Sequence, residues 1–252
     1  MNDYSLSCTS GIDLLLWRLL SNNWQQVSSL SFHSSLDTQE VCLQTVATKT
    51  PRTPRAMTKQ ARRIQLIKAT IACIASKGLS GTTMADVTQQ AGLSLGIVNL
   101  HFKSKDKLLI ETLQYVADEY QQGLEKIYSD SSLDIAEKIK AQANYDFSKK
   151  IIDRNKLAVW FAFWGEAKAR PTYSDICARY DAKVANNLTA LFTDLKSQGN
   201  YPDIDPQMTS IAYTALTDGL WLDLLISPRQ LSAAKACAVV GNFLARQFPQ
   251  HF

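Results

Sequence analysis

Thr82-Thr83-Met84-Ala85-Asp86-Val87-Thr88-Gln89-Gln90-Ala91-Gly92-Leu93-Ser94-Leu95-Gly96-Ile97-Val98-Asn99-Leu100-His101-Phe102 is the stretch that decides the fold. Thr83, with Asp86 three residues on, is the start signal of a helix, close to a capping box. That helix runs from Met84 to Ala91 and breaks at Gly92, where glycine supplies a turn conformation closed to bulkier residues. Ser94 then caps a second short helix, ending at His101 or Phe102. Two short helices flanking Ala91-Gly92-Leu93-Ser94 have helix-turn-helix spacing. The physical use of that arrangement is to lay the second helix in the DNA major groove, while helix N-termini and basic side chains hold phosphates.

Outward from this stretch the pattern stays helical. Upstream, Ile64, Ile67, Ile71 and Ile74 recur at spacings of three and four, one face of a helix that Gly78 stops. Downstream, Ser104 caps a long helix whose stripe is Leu109, Leu113, Val116, Tyr120, Leu124 and Ile127. Helical patterns follow over 133–152, 154–169 and 172–198, with Pro171 as a break. Asp205-Pro206, a cap followed by proline at the first helical position, opens a run to Ile226. Pro228 ends it, and a last helix covers 231–247. No strand-like alternation and no internal repeat interrupts this sequence. Ten glycines and seven prolines in 252 residues are too few for a β-sandwich or propeller with many tight turns. The expectation is an all-α chain.

Charge divides the chain unevenly. Eleven lysines and arginines but only two acids lie between Lys49 and Lys107, whereas the whole chain carries a net charge of +4. The block is therefore +9 and the remainder −5, a basic, polyanion-binding part joined to something slightly acidic. Arg52, Arg55, Arg62 and Arg63 could form an arm along the DNA backbone or minor groove; an arm without defined contacts is the alternative. The five cysteines, at 8, 42, 73, 177 and 237, make no C-x-x-C pair and leave one over. With three scattered histidines, no metal site and no cofactor are expected, and a reducing cytoplasm is the default. No apolar run reaches the roughly 18 residues of a membrane span. Residues 1–55 are rich in serine and threonine and poor in periodicity, ending in Thr50-Pro-Arg-Thr-Pro-Arg55. They are expected to be a disordered or weakly helical extension, or to precede a true start nearer Val46 or Met57.

Gly92-Leu93-Ser94-Leu95-Gly96 also matches G-x-S-x-G, the nucleophile elbow of hydrolases. That elbow needs a buried strand before it, and here the polar helix Val87-Thr88-Gln89-Gln90 precedes it.

Gly78, Thr82-Thr83, Val87, Ala91-Gly92-Leu93-Ser94, Gly96, Val98, His101-Phe102, Lys105 and Leu108 stand at the spacings of the TetR-family DNA-binding domain, which the chain resembles. Within that family it is most similar to the BetI repressors of choline-to-betaine genes. That narrower resemblance rests on Gly96-Ile97-Val98, on Phe102 to Leu109, on Trp160 with Phe163-Trp164, and on Thr217-Asp218-Gly219-Leu220-Trp221-Leu222. The two positions before His101, often tyrosines in the family, are Asn99 and Leu100 here. Asparagine can read adenine bidentately, and leucine can touch a thymine methyl; the family's usual operator contacts do not carry over there.

The resemblance implies an N-terminal three-helix DNA-binding domain over residues 56–103 and a C-terminal helical effector-binding and dimerisation domain over 104–252. Residues 1–55 fall outside it. Leu95, Asn99 and His101 are expected to face the groove, with Ser94 and Gly96 beside them and Ile97 and Val98 in the core. Thr82, Thr83 and Lys105 lie at helix starts where they can meet phosphates; the alternative is that Thr83 and Ser94 are only caps. Trp160, Phe163, Trp164 and Trp221 are either core or a cation–π cage for a quaternary ammonium such as choline or betaine aldehyde, with Glu166, Asp218 or Asp223 as its carboxylate. Small residues at Ala215, Gly219, Ala234, Ala238 and Gly241 suit a four-helix homodimer interface. The function implied is a cytoplasmic, effector-released repressor of double-stranded DNA with no catalytic residues. A TetR-type repressor with an unrelated effector, and a helical hydrolase using residues 92–96, remain as rivals.

Overall fold

Nine helices, with no strand between them, make up residues 59–252, the part of the chain that the computed structural model describes. These residues belong to one compact unit. The extension, the alternative start at Met57 and the arm arginines Arg52 and Arg55 lie outside the described residues.

Helix α1 spans Lys59–Gly81 and is interrupted at Gly78, whose φ of 73° and ψ of 169° are not helical. The left-handed sign of that φ is why the stop signal is a glycine. Helix α2, Met84–Ala91, opens on the full capping box: Thr83 accepts from the Asp86 N–H, and Asp86 accepts from the Thr83 N–H. Gly92 ends it at φ 64°, and the Leu93 N–H returns to the Thr88 carbonyl at 2.9 Å. Helix α3 spans Leu95–His101. Helix α4, Lys105–Ser129, is capped by Ser104, whose hydroxyl accepts from the Lys107 N–H.

The remaining helices are α5 (Ile135–Asp146), α6 (Arg154–Glu166), α7 (Pro171–Gly199), α8 (Pro206–Ile226) and α9 (Ala233–Gln247). Side chains of Asp134, Asp153, Asp205 and Ser232 cap four of them. Two boundaries differ from expectation. Helix α5 stops at Asp146 rather than near 152, because Phe147 and Ile151 reach the core from a turn instead of a continued helix. Pro171 begins α7 as its first residue rather than acting as a break, a position where its fixed φ is pre-organised and its missing N–H leaves no bond unmade.

Two apolar cores stack along the molecule. The first joins α1, α2, α3 and the first half of α4 (Leu66, Ile74, Val87, Val98, Leu113) to Val159 and Phe163 of α6 and Ile176 of α7. The second joins Leu124 of α4 and Ile139 of α5 to Leu188, Tyr213, Val240 and Phe248. Packing therefore does not break between residues 103 and 104. Helix α4 serves both cores, and α6 is the helix most extensively packed against α1. No helix of the described residues is long and apolar enough to cross a membrane.

Candidate functional site: a helix-turn-helix face and an aromatic, acidic cavity

The face of α3 that packing leaves open is unusual. Leu95 is 50% exposed and Leu100 73%, and Ser94, Gly96 and Asn99 are exposed beside them. Val98 is fully buried and Ile97 half-buried, which orients the helix. Ser94 starts α3 without a side-chain cap bond, so its hydroxyl is open to an outside partner. Thr83 is exposed but already engaged: its hydroxyl donates to Asp86 Oδ2 at 2.7 Å. Lys77, 2.6 Å from Asp86, and then Thr83 hold that carboxyl down to about 2, so the box stays ionised. Lys105 Nζ lies 3.4 Å from the Ser80 carbonyl.

Four residues depart from their expected places. Thr82 is buried, and its hydroxyl donates to the Gly78 carbonyl at 2.8 Å, bracing the bend in α1 rather than reaching outward. His101 is half-buried beside Phe102, ring centroids 6.4 Å apart, with its Nδ1 enclosed. Arg63 is not part of an arm: it pairs with Glu111, donates to the His101 carbonyl at 3.1 Å and lies over the Phe102 ring. Arg62 donates to Gln65 Oε1 at 3.0 Å.

The G-x-S-x-G match dissolves in this geometry. Gly92 is the left-handed end of α2 and Ser94 the exposed start of α3, with no preceding strand.

A cavity of about 370 Å³ lies among α4, α5, α6, α7 and α8. Its walls are aromatic: Trp160 and Trp164, Tyr120, Tyr180, Tyr213 and Trp221. Trp160 and Trp164, one turn apart on α6, stand with centroids 5.9 Å apart at 40°. Three carboxylates, Asp146, Asp181 and Asp218, line it, and no lysine, arginine or histidine does. Asp146 is fully buried; its two oxygens accept from Tyr120 Oη at 2.7 Å and Tyr213 Oη at 2.8 Å. Its own carbonyl accepts from Trp221 Nε1 at 2.9 Å. Burial pushes the Asp146 carboxyl up to about 7 against those two hydroxyl donors. Burial, followed by the charges of Asp181 and Asp146, pushes Asp218 up to about 7 as well. Asp181 is exposed at one side. Gln121 Oε1, Gln142 Nε2 and Thr217 Oγ1, on lining residues, are buried without a protein partner. Such atoms are rare in a finished core and normally have a partner of some kind.

Of the five effector candidates, Trp160, Trp164, Asp218 and Trp221 come together here. Phe163 does not line the cavity. It is fully buried against Tyr173, with centroids 4.8 Å apart, because its side of α6 faces the first core. Of the three candidate carboxylates, Glu166 sits at the end of α6 beside Ser80 and Arg170, and neither it nor Asp223 lines the cavity. Sequence reasoning missed Asp146, Asp181 and the three tyrosines. The available signal was polar residues on a helix's inward stripe: Ile139, Gln142, Ala143 and Asp146 are the buried residues of α5.

A second surface stands apart. Met208, Ile211, Ala215 and Gly219 of α8, and Ala234, Ala238 and Val239 of α9, are exposed, small or apolar, and at helical spacing.

A helix-turn-helix and, farther along the same unit, an aromatic, acidic cavity are the two parts that a ligand-responsive transcriptional regulator requires. Comparison with known proteins agrees. The family of bacterial regulatory proteins of the tetR type matches residues 66–112, and the C-terminal domain of BetI-type transcriptional repressors matches 136–249. The HTH-type transcriptional regulator BetI of Paraburkholderia xenovorans (strain LB400) is 28% identical over 191 residues, 76% of this chain and 95% of that protein. Its namesake from Serratia proteamaculans (strain 568) is 26% identical over 199 residues, 79% and 98% of the two chains. A TetR-family regulator from Agrobacterium tumefaciens superimposes with a TM-score of 0.65 at 19% identity, covering 76% of this chain and all of that one. A protein from Saccharomonospora viridis, solved in complex with choline, does so with 0.62 at 19% identity, covering 74% and 96%. The chain belongs to the TetR family and carries a BetI-type C-terminal domain. It is a TetR/BetI-type transcriptional repressor, not an enzyme.

Proposed function

We propose that the chain represses genes of choline and glycine betaine metabolism and leaves its operator when a quaternary ammonium compound of the choline type fills the aromatic cavity. One observation carries this reading: six aromatic rings and three carboxylates surround one space with no positive side chain among them. A trimethylammonium head makes no conventional N–H or O–H hydrogen bonds, so ring faces and a carboxylate are what can hold it, at roughly 0.5–2 kcal/mol per ring. The BetI-type relatives and the choline-bound fold neighbour support the same ligand class.

In this reading residues 56–103 hold the DNA, through Thr83, Ser94, Leu95, Gly96 and Asn99, joined by Lys105 at the start of α4. Residues 104–252 hold the effector and a second copy of the chain. The exposed small residues of α8 and α9 pair across a two-fold axis, which sets two recognition helices about 34 Å apart, one turn of DNA. Helix α4 is the lever: it starts at Lys105 beside α3 and reaches the cavity with Tyr120 and Gln121. An effector that favours another setting of α4 and α6 changes the spacing; coupling of roughly 1–3 kcal/mol is typical.

Titration calorimetry with choline, betaine aldehyde and 3,3-dimethylbutan-1-ol, the neutral isostere of choline, tests the ligand. Gel shifts with the same three compounds test release. Binding of the cations alone, with release of DNA, is expected. Equal binding of the neutral isostere, or no heat from any of them, removes the cation reading and leaves a TetR-type repressor of another effector.

A further inference from the structure

The exposed face of α3 contains no group that reads guanine. The residues of α3 include no lysine, arginine, aspartate or glutamate, and the first charged side chain after Ser94 is Lys103. Bidentate recognition of guanine needs an arginine or lysine reaching O6 and N7. His101, the remaining polar candidate, has its Nδ1 enclosed and is half-buried against Phe102. What α3 does present is Asn99, suited to the N6 and N7 of adenine, together with two leucines that packing leaves open.

We infer that α3 reads a short run of A·T pairs, with Leu95 and Leu100 seated on thymine methyl groups and Asn99 paired to adenine. The inference rests on the DNA-binding reading above and specifies its target.

Leu95 and Asn99 are one turn apart and share a face, while Leu100 stands one residue further round. At 1.5 Å per residue, Leu95 to Leu100 covers about 7.5 Å of helix, roughly two base-pair steps. Gly96 lies between them on the exposed side. A Cβ there would meet only Ser94 Oγ at 3.9 Å, so nothing within the fold requires glycine. The missing side chain leaves room for close approach of another surface. Exposed Lys103 and the nearby Lys105 supply the positive flank that a phosphate backbone needs and that an apolar protein partner does not.

The test uses the full-length chain and a randomised pool of duplex DNA. Selected half-sites are expected to share A·T pairs at their core. Replacing single thymidines there by deoxyuridine removes only the methyl group, and affinity should fall about fourfold at each contacted position. With Leu100→Ala, sensitivity to deoxyuridine should vanish at one position and persist at the other; Leu100 is too exposed for its loss to disturb the fold. Half-sites with G·C at the core, or unchanged affinity when every thymine methyl is removed, would overturn the inference while leaving sequence-specific binding intact. A chain that selects no sequence overturns the DNA reading and this inference with it.

Discussion

Arg63 on α1 and Glu111 on α4 form an ion pair that clamps the end of α3. The same guanidinium donates to the His101 carbonyl at 3.1 Å and lies 4.7 Å from the Phe102 ring centroid. Glu111 is additionally approached by Lys107 at 3.8 Å. One side chain thus ties three helices of the candidate DNA-binding unit together. Arg63→Ala is expected to lower stability by about 1.5–3 kcal/mol, the range for a lost hydrogen bond to a charged group. Operator affinity should fall with it, while cation binding stays unchanged because no cavity residue is touched. Thermal melts and gel shifts check this; unaltered values for both would make the clamp incidental.

Asp146 is a pH-sensitive carboxyl in the wall of the cavity. Its buried carboxyl titrates near 7, above the ordinary value of 3.8. The native chain therefore holds a proton that the unfolded chain has already released between about pH 4 and 7. Stability of the empty protein should fall as pH rises through that window. The contribution is on the order of 1–4 kcal/mol, and Asp146→Asn should reduce the slope, leaving the part that Asp218 contributes over the same window. If the cation needs the ionised carboxylate, its affinity should instead rise about tenfold from pH 6 to pH 8. Melts and calorimetry across that range give both slopes.

Trp164→Phe keeps a ring in the cavity wall but a weaker one. Trp164 is half-buried, so the change should barely affect melting. Choline affinity is expected to drop about two- to fivefold, consistent with a partial loss of one cation–π contact. Unchanged calorimetric affinity would return this tryptophan to an ordinary wall residue.

Gly96→Ala separates stability from function. Alanine is favoured over glycine in a helix by up to about 1 kcal/mol, and the new Cβ has open space. The melting temperature should hold or rise while operator affinity falls. Retained affinity in a binding isotherm would show that DNA does not approach the backbone there.

Ile211→Asp addresses the partner. Ile211 is half exposed on α8, so a charge there is tolerated by the subunit fold but not by an apolar interface. Sedimentation should then report a monomer, and operator binding should weaken by orders of magnitude as the second recognition helix is lost. A dimer that persists would assign the α8–α9 face to another role.

Much of this protein was legible in one dimension because the relevant signals are local. The Thr83–Asp86 box, the left-handed Gly92 and the caps at Ser104 and Asp205 each concern backbone groups within a few residues, so composition and spacing specify them. The isoleucine stripe of α1 and the proline start of α8 are equally short-range. The helix-turn-helix follows from them almost without tertiary information, and so does which face of α3 Val98 turns inward.

The cavity is a different kind of object. Along the chain, Asp146 is marked only as a polar residue on the inward stripe of α5. Its role comes from Tyr120, Tyr213 and Trp221, which are 26, 67 and 75 residues away in sequence and converge only when α4, α5 and α8 pack. Phe163 and Trp164 are adjacent in sequence, yet a helical step of 100° sends one into the core and the other to the cavity. Arg63 looks like one more base in a basic run until Glu111 arrives from 48 residues away. The sequence by itself determined the helices, most of their ends and the helix-turn-helix motif, because those depend on contacts along the chain. Only the tertiary structure decided which aromatics line the cavity, which acid is buried among them and which arginine is held within the fold, because burial and charge pairing are properties of the assembled helices.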